Sequence, residues 1–157
     1  MALWDEVFQE VAKDYPSIES ESLLVDAACM DLIRRPEDFD VLVASNLFGD
    51  IISEITAATT GSLGLAPSAN INPSRSWPSM FEPVHGSAPD IAGQGTANPL
   101  ATILAAWMML DFLNEQQAAQ SIYQAVAQHL KKGCRKTQDL GGSATCREAT
   151  DEILSYL

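Results

Sequence analysis

The apolar run FDVLVA at Phe39–Ala44 constrains the fold more than any other segment of the sequence. It has the length of a strand and is nearly all apolar, which is typical of a strand covered on both faces in a parallel sheet. A helix is predicted directly after it, over Leu47–Thr59, with Asn46 able to cap its start and Gly61 its end. A strand followed by a helix is the unit from which α/β proteins are built, so we predict an α/β fold.

Hydrophobic periodicity predicts further elements on both sides of this unit. They are a helix over Leu3–Asp14, a strand over Ser22–Val25, and helices over Ala27–Ile33, Asn98–Phe112 and Gln116–Lys131. A last helix follows a cap at Ser143 or Thr145. Residues 60–99 are rich in Gly and Pro, so we expect loops there, and loops of that composition in a compact protein are more often functional than idle.

Charge and composition exclude several classes of partner. The net charge of −12 repels phosphate backbones and anionic membrane surfaces, which argues against nucleic acid as a partner. The most apolar stretch, Pro99–Leu113, is shorter than the roughly 20 residues that a membrane span needs. Cys29, Cys134 and Cys146 form no CxxC pair or zinc spacing. We therefore expect a cytoplasmic protein with neither a nucleic-acid nor a membrane partner.

Two acidic residues on one predicted helix suggest a metal site. Asp50 and Glu54 are four residues apart, so their carboxylates project from the same helix face and repel each other unless a cation lies between them. Oxygen ligands of this kind suit Mg²⁺ or Mn²⁺. The alternative is a pair of solvated acids on an exposed helix. Asp26 follows a predicted strand, where ligands gather in α/β sheets, but alone it indicates little.

The segment Phe81–Pro99 has the composition of a ligand-binding loop. Its glycines permit close approach of the backbone to a ligand, and its prolines stiffen the chain. His85, Asp90 and Asn98 supply polar groups able to bind the base and ribose of a nucleotide. The alternative is a purely structural Gly/Pro loop in which His85 is a hydrogen-bonding residue.

Three motifs in order resemble the signature of the isocitrate and isopropylmalate dehydrogenase family. They are NLFGDIISE at 46–54, GSLG at 61–64 and GSAPDIAGQGTANP at 86–99. The segment NINPSRSWPSMFEPVHGSAPDIAG is more similar to the tartrate and D-malate dehydrogenase branch than to the leucine-pathway enzyme. The resemblance covers nearly the whole chain and implies an isopropylmalate dehydrogenase-like α/β fold, of which this chain is the C-terminal part.

The resemblance implies roles for the three acidic residues. Asp50 and Glu54 match metal ligands of the family, and Asp26 matches a carboxylate that reaches the metal from the other subunit of a dimer. Glu54 departs from the usual Asp by one methylene. The metal implied is Mg²⁺ or Mn²⁺.

The resemblance also implies NAD as the cofactor. The positions that match contacts to the adenosine half of the dinucleotide are His85, Gly86, Asp90, Ile91, Asn98 and Asp139. A carboxylate at Asp90 can accept hydrogen bonds from ribose hydroxyls and would repel a 2′-phosphate, which favours NAD over NADP.

The implied organisation and activity extend beyond this chain, because family members are about twice its size. Residues 1–60 would belong to the smaller, dimer-forming domain, and residues 61–157 to the larger domain that binds the adenosine of NAD. A homodimer would form through helices 27–33 and 47–59. The implied reaction is metal-dependent oxidative decarboxylation of a 2-hydroxy acid such as tartrate, D-malate or 3-isopropylmalate.

We identify no catalytic acid or base in the sequence, so we expect the chain alone to be inactive. The alternative function is a non-catalytic, dimerising interaction module derived from such an enzyme.

Overall fold

The computed structural model describes residues 2–157, and these residues form six α-helices, three short 3-10 turns and one two-stranded sheet. The helices are α1 (Ala2–Ala12), α2 (Val25–Arg34), α3 (Asn46–Thr60), α4 (Leu100–Phe112), α5 (Gln116–Lys132) and α6 (Cys146–Leu154). The strands are β1 (Pro67–Asn70) and β2 (Met80–Pro83). None of the helices among the described residues is long and apolar enough to cross a membrane.

The helix predictions are confirmed, with ends that differ by a few residues. The cap of α6 is Thr145, not Ser143. Its hydroxyl accepts a hydrogen bond from the backbone N–H of Glu148, whose carboxylate in turn accepts one from the backbone N–H of Thr145. This reciprocal capping box satisfies two N–H groups that the first turn of a helix would otherwise leave without acceptors.

The two strands predicted before α3 are wrong. Residues 22–24 are unpaired and Val25 already belongs to α2, while Phe39–Ala44 forms no strand in the described chain. A strand needs a neighbour for its backbone N–H and C=O groups, and no described segment pairs with either run. The apolar run therefore lies on the surface, with Val41 89% exposed and Val43 61% exposed.

The sheet forms where the sequence predicts only loops. β1 and β2 pair antiparallel, with Pro67 opposite Pro83 and Asn70 opposite Met80. The Gly/Pro-rich composition does not predict this hairpin, because proline is rare in strands. Here each strand has a proline at its outer end, a position that an edge strand tolerates. Among the described residues this is the whole sheet, so the parallel pairing expected around Phe39–Ala44 is absent from it.

The described chain divides into two compact units, one ending at Ile52 and the other comprising Ser53–Leu157. This boundary lies inside α3, whereas the sequence prediction puts the domain boundary at its end. In the first unit Ala28 and Leu32 of α2 are buried. The assignment of the two parts to a dimer-forming and an adenosine-binding domain stays a prediction.

The core of the second unit is formed by α4, α5 and α6. Leu100, Ala125, Val126 and Ile153 are buried against one another there. A hydrogen bond lies in the same region, since the Nδ1 of His129 in α5 is 2.6 Å from the Oε2 of Glu152 in α6. The imidazole is 1% exposed, so α5 and α6 are joined by a polar contact at the edge of an apolar core.

Candidate functional site

The loop formed by residues 84–98, called here the 84–98 loop, joins β2 to α4. The backbone N–H of Val84 donates to the carbonyl of Ala66 at 3.0 Å, which extends the hairpin pairing into the loop. Near the other end, the carbonyl of Gly95 accepts a hydrogen bond of 2.7 Å from the backbone N–H of Cys146 at the start of α6. The loop is therefore fixed to two different elements.

Tight turns shape the middle of the 84–98 loop. The backbone N–H of Gln94 donates to the carbonyl of Ile91 at 3.1 Å, and the Gln94 side chain donates to the carbonyl of Asp90 at 2.7 Å. Gly93 adopts a φ of 78°, which glycine tolerates without cost. Ala88 adopts a φ of 42°, a left-handed conformation that costs a non-glycine residue about 1 kcal/mol or more. Strain of this kind persists only where the surrounding contacts impose it.

Five of the six residues predicted to bind the cofactor lie in the 84–98 loop. They are His85, Gly86, Asp90, Ile91 and Asn98. The His85 ring is half-buried and its Nδ1 lies 3.1 Å from the carbonyl of Gly86. Asp90 and Ile91 are exposed, so a ligand can reach them.

The sixth residue, Asp139, lies in the turn after α5 and contacts the end of the 84–98 loop. Its Oδ2 accepts a hydrogen bond of 2.8 Å from the Nδ2 of Asn98. The structure thus brings together two predicted residues that are 41 positions apart in the sequence. The Oδ1 of Asn98 accepts a further hydrogen bond of 2.9 Å from the backbone N–H of Leu100, at the start of α4.

Two hydroxyl groups outside the predicted set of site residues also bind Asp139. Ser62 donates its hydroxyl to Oδ2, and Thr137 donates its hydroxyl to Oδ1 at 2.5 Å. Partial desolvation raises the pKa of Asp139, but hydrogen bonds to its charged form, first from Asn98, then from Ser62 and Thr137, outweigh that effect. The pKa of Asp139 therefore lies below its usual value, and the carboxylate is charged at neutral pH.

Ser62 and Gly64 belong to the motif GSLG, whose sequence alone predicts no role for either residue. The hydroxyl of Ser62 accepts a hydrogen bond of 2.9 Å from the backbone N–H of Gly64. A Cβ on Gly64 would lie 2.8 Å from the Cβ of Asn98 and 2.9 Å from a carboxylate oxygen of Asp139. The motif therefore requires glycine because the chain passes directly against the Asn98 and Asp139 side chains.

The three acidic residues predicted to bind a metal are exposed on two helices. Asp26 lies in the first turn of α2, where its carboxylate accepts a hydrogen bond of 2.8 Å from the backbone N–H of Ala27. Asp50 and Glu54 lie on α3 with the four-residue spacing that the sequence shows. Across residues 2–157, no three His, Cys, Asp or Glu side chains converge closely enough to hold a metal ion. The metal site stays a prediction, and it needs ligands beyond those that this single chain brings together.

Arg75, the arginine of the β1–β2 hairpin loop, serves a structural contact. Its guanidinium donates to the carbonyl of Phe112 and lies 4.5 Å from the centroid of the Phe112 ring. A cation at the C-terminal end of α4 is favoured by the helix dipole and by the aromatic ring. The residue is thus engaged with α4, and the hairpin is fastened to that helix.

Comparison with known proteins covers almost all of the chain. Residues 1–153 match the family model described as isocitrate/isopropylmalate dehydrogenase. The chain is 55% identical, over its whole length, to a probable tartrate dehydrogenase/decarboxylase of Bacillus subtilis. It is 49% identical, also over its whole length, to the decarboxylating D-malate dehydrogenase of Escherichia coli. The resemblance inferred from the three motifs is confirmed.

A solved structure shows that the fold is shared as well. Isocitrate dehydrogenase from Methylococcus capsulatus superposes on 99% of this chain with a TM-score of 0.87 and 42% sequence identity. The chain corresponds to 46% of that protein, and to 44% and 45% of the Bacillus and Escherichia relatives. The predicted fold class is confirmed, and the chain spans less than half the length of each of these proteins.

Proposed function

Because the chain belongs to the isocitrate/isopropylmalate dehydrogenase family, we propose that it forms the metal- and NAD-binding part of a β-decarboxylating dehydrogenase of a 2-hydroxy acid. The substrates we propose are tartrate, D-malate or 3-isopropylmalate. The observation that carries the proposal is the 84–98 loop, which is fastened at both ends and presents Asp90 and Ile91 to solvent. A loop held in this way can bind a nucleotide without first having to become ordered.

The 84–98 loop has the chemistry that the adenosine half of NAD requires. Asp90 is an exposed carboxylate that can accept hydrogen bonds from both ribose hydroxyls, and it would repel the additional phosphate of NADP. Ile91 adds an exposed apolar side chain suited to contact with the adenine ring. Gly86 leaves the backbone open, since a Cβ there would meet no atom within 4 Å.

The exposed carboxylates on α3 could hold a divalent metal only together with ligands from outside this chain. Asp50 and Glu54 would hold Mg²⁺ or Mn²⁺ together with Asp26 of a second subunit. When bound, NAD would accept the hydride from the hydroxyl-bearing carbon, and the metal would polarise the oxygen on that carbon while the β-carboxylate leaves as CO₂. By holding the metal, the carboxylates of this chain would fix the position of the substrate oxygens that bind to it.

The proton transfers of the reaction need groups that we do not find in this chain. A base must take the hydroxyl proton and an acid must protonate the carbon that loses CO₂, and such groups contribute about 10² to 10⁴-fold each. We therefore propose that the chain alone is inactive and that these groups belong to the part of the fold that its relatives carry in addition.

A chimera tests the proposed reaction. The segment of the Bacillus subtilis relative that precedes the matched region would be joined to this chain, and NADH absorbance followed with each proposed substrate and Mn²⁺. We expect turnover from the chimera and none from the 157-residue chain. Robust turnover by the short chain would show that it contains its own acid and base. A chimera that dimerises, binds no NAD and turns over none of the substrates would favour the non-catalytic interaction module.

Titration calorimetry tests the metal site separately. Mn²⁺ binding should be largely lost in Asp50→Asn, because a neutral amide is a weaker ligand for a divalent cation than a charged carboxylate. Asp14→Asn, which removes an equal charge from the end of the first helical region, is the control and should bind Mn²⁺ like the parent chain. Equal affinity in the parent chain and Asp50→Asn would remove Asp50 from the metal site.

A further inference from the structure

Ser62, Asn98, Thr137 and Asp139 form a polar cluster, called here the Asp139 cluster, where three separate segments of the second unit meet. The segments are the turn after α3, the end of the 84–98 loop and the turn after α5. Each donor of the cluster aims at the same carboxylate. Hydrogen bonds to a charged group are the stronger class, so this one side chain ties the three segments together.

The Asp139 cluster fixes the orientation of the Asn98 side chain. The backbone N–H of Leu100 can only donate, so it must face the Oδ1 of Asn98, at 2.9 Å. The carboxylate of Asp139 can only accept, so it must face Nδ2, at 2.8 Å. The amide has no freedom to flip, and one N–H of Nδ2 is left over after these two contacts.

The carboxylate of Asp139 is used by protein donors on both oxygens. Oδ2 accepts from Ser62 and Asn98, and Oδ1 accepts from Thr137 at 2.5 Å. These three donors leave at most one of the carboxylate's roughly four acceptor sites, on Oδ1, for the adenine amino group.

We propose that Asp139 is a positioning residue that, with Ser62, holds Asn98 and so fixes the carboxyl end of the 84–98 loop, acting on NAD only through that loop. This inference rests on the proposed function, in which the loop binds the adenosine half of NAD. It gives Asp139 an indirect role in place of the direct contact to the adenosine half that the resemblance implies.

Hydrogen exchange on the free 157-residue chain tests the positioning role without any ligand. In Asp139→Ala, the amides of the 84–98 loop should exchange about tenfold faster, because a charged acceptor of three hydrogen bonds is gone. Ser62→Ala should show a smaller effect in the same loop. Asp151→Asn, which removes an exposed charge of α6, is the matched control and should leave the loop unchanged. Unchanged exchange in the loop of Asp139→Ala, or faster exchange spread evenly over the second unit, would overturn the proposal.

Binding of two dinucleotides distinguishes positioning from direct contact. Nicotinamide hypoxanthine dinucleotide carries a carbonyl in place of the adenine amino group, so it lacks the donor that a direct contact to Asp139 would use. At a temperature where Asp139→Ala is folded, its affinity for NAD and for the analogue should fall by the same factor, about tenfold. Asp139→Asn should recover most of that loss, because its amide oxygen can still accept from Asn98.

Each other outcome is decisive. If Asp139→Ala weakens NAD but not the analogue, Asp139 contacts the base directly and the positioning role is wrong. If the parent chain binds neither dinucleotide, the proposed NAD site fails, and the exchange experiment alone then decides whether the Asp139 cluster fixes the loop.

Discussion

At Gly142 the backbone passes so close to the backbone of Lys136 that no side chain fits between them. An added Cβ would lie 1.9 Å from the carbonyl oxygen of Lys136, which is backbone and cannot move aside cheaply. The same turn is closed by a hydrogen bond of 2.9 Å from the backbone N–H of Ala144 to that carbonyl. This turn carries Thr137 and Asp139, so the shape of the Asp139 cluster depends on a glycine outside it.

We expect Gly142→Ala to destabilise the second unit by about 1–3 kcal/mol, the usual cost of forcing an extra group into filled space. Urea denaturation followed by circular dichroism measures this change. Gly86→Ala is the matched control, since a Cβ there meets nothing within 4 Å, and it should stay within about 0.5 kcal/mol of the parent chain. Equal stability of the two variants would mean that the turn relaxes without cost.

The sequence identifies Asn98 and Asp139 singly but not the contact between them. The two residues are 41 positions apart, and α4 and α5 lie between them. No local sequence pattern predicts that these helices pack so that the turn after α5 contacts the residues before α4. Ser62 belongs to the motif GSLG, yet the partner of its hydroxyl cannot be predicted without the position of Asp139 in the fold. Residue types reveal candidate ligands, while the contacts among them depend on tertiary packing.

At the scale of elements, helices are more predictable than strands. A helix satisfies its own backbone, so the spacing of apolar residues locates α5, and the two candidate caps, Ser143 and Thr145, locate the start of α6 to within a few residues. A strand depends on a neighbour that the local sequence does not name. The run Phe39–Ala44 therefore has strand composition without strand structure, and β1 and β2 have strand structure without strand composition.

The contact between α5 and α6 carries a pH-dependent prediction. Desolvation raises the pKa of Glu152. Hydrogen bonds from the backbone N–H groups of Cys134 and Arg135, and then from His129, lower it by more than desolvation raises it, so the net pKa lies below its usual value. A carboxylate with a depressed pKa stabilises the fold fully above its unfolded pKa, and this contribution is lost as the pH falls through the folded pKa.

Glu152→Gln should therefore cost about 1–3 kcal/mol at neutral pH, and the difference from the parent chain should shrink below about pH 4 as the parent carboxylate becomes protonated. Denaturation curves between neutral and acidic pH give both values. Glu82→Gln, on an exposed position of β2, is the control and should show little difference at any pH. A gap that is constant across the pH range would contradict an ionised Glu152.

At the scale of the molecule, the first unit exposes apolar side chains that a partner would cover. Met30 and Ile33 of α2 are 53% and 62% exposed, and Leu47 of α3 is 66% exposed. These residues lie in or next to the two helical regions, 27–33 and 47–59, through which we propose a two-fold homodimer. A two-fold interface buries the same patch on both subunits, so each of these residues would be buried in both copies.

Ile33→Glu should weaken self-association at least about tenfold, because it places two charges in an apolar interface. Light scattering over a range of concentrations measures the change. Ile18→Glu is a close control: Ile18 is 65% exposed but lies outside both helices, so the dimer should persist. A parent chain that stays monomeric at high concentration would contradict the proposed dimer.

The exposed run Phe39–Ala44 also bears on how the chain behaves when it is crowded with copies of itself. Its backbone N–H and C=O groups have no sheet to join within the described chain, so they can serve as a template for cross-β growth. Glu37, Asp38 and Asp40 place negative charge at and inside the run, as gatekeeper residues do in aggregation-prone segments. Removing the charge inside the run, as in Asp40→Asn, should therefore accelerate seeded fibril formation, followed by thioflavin fluorescence.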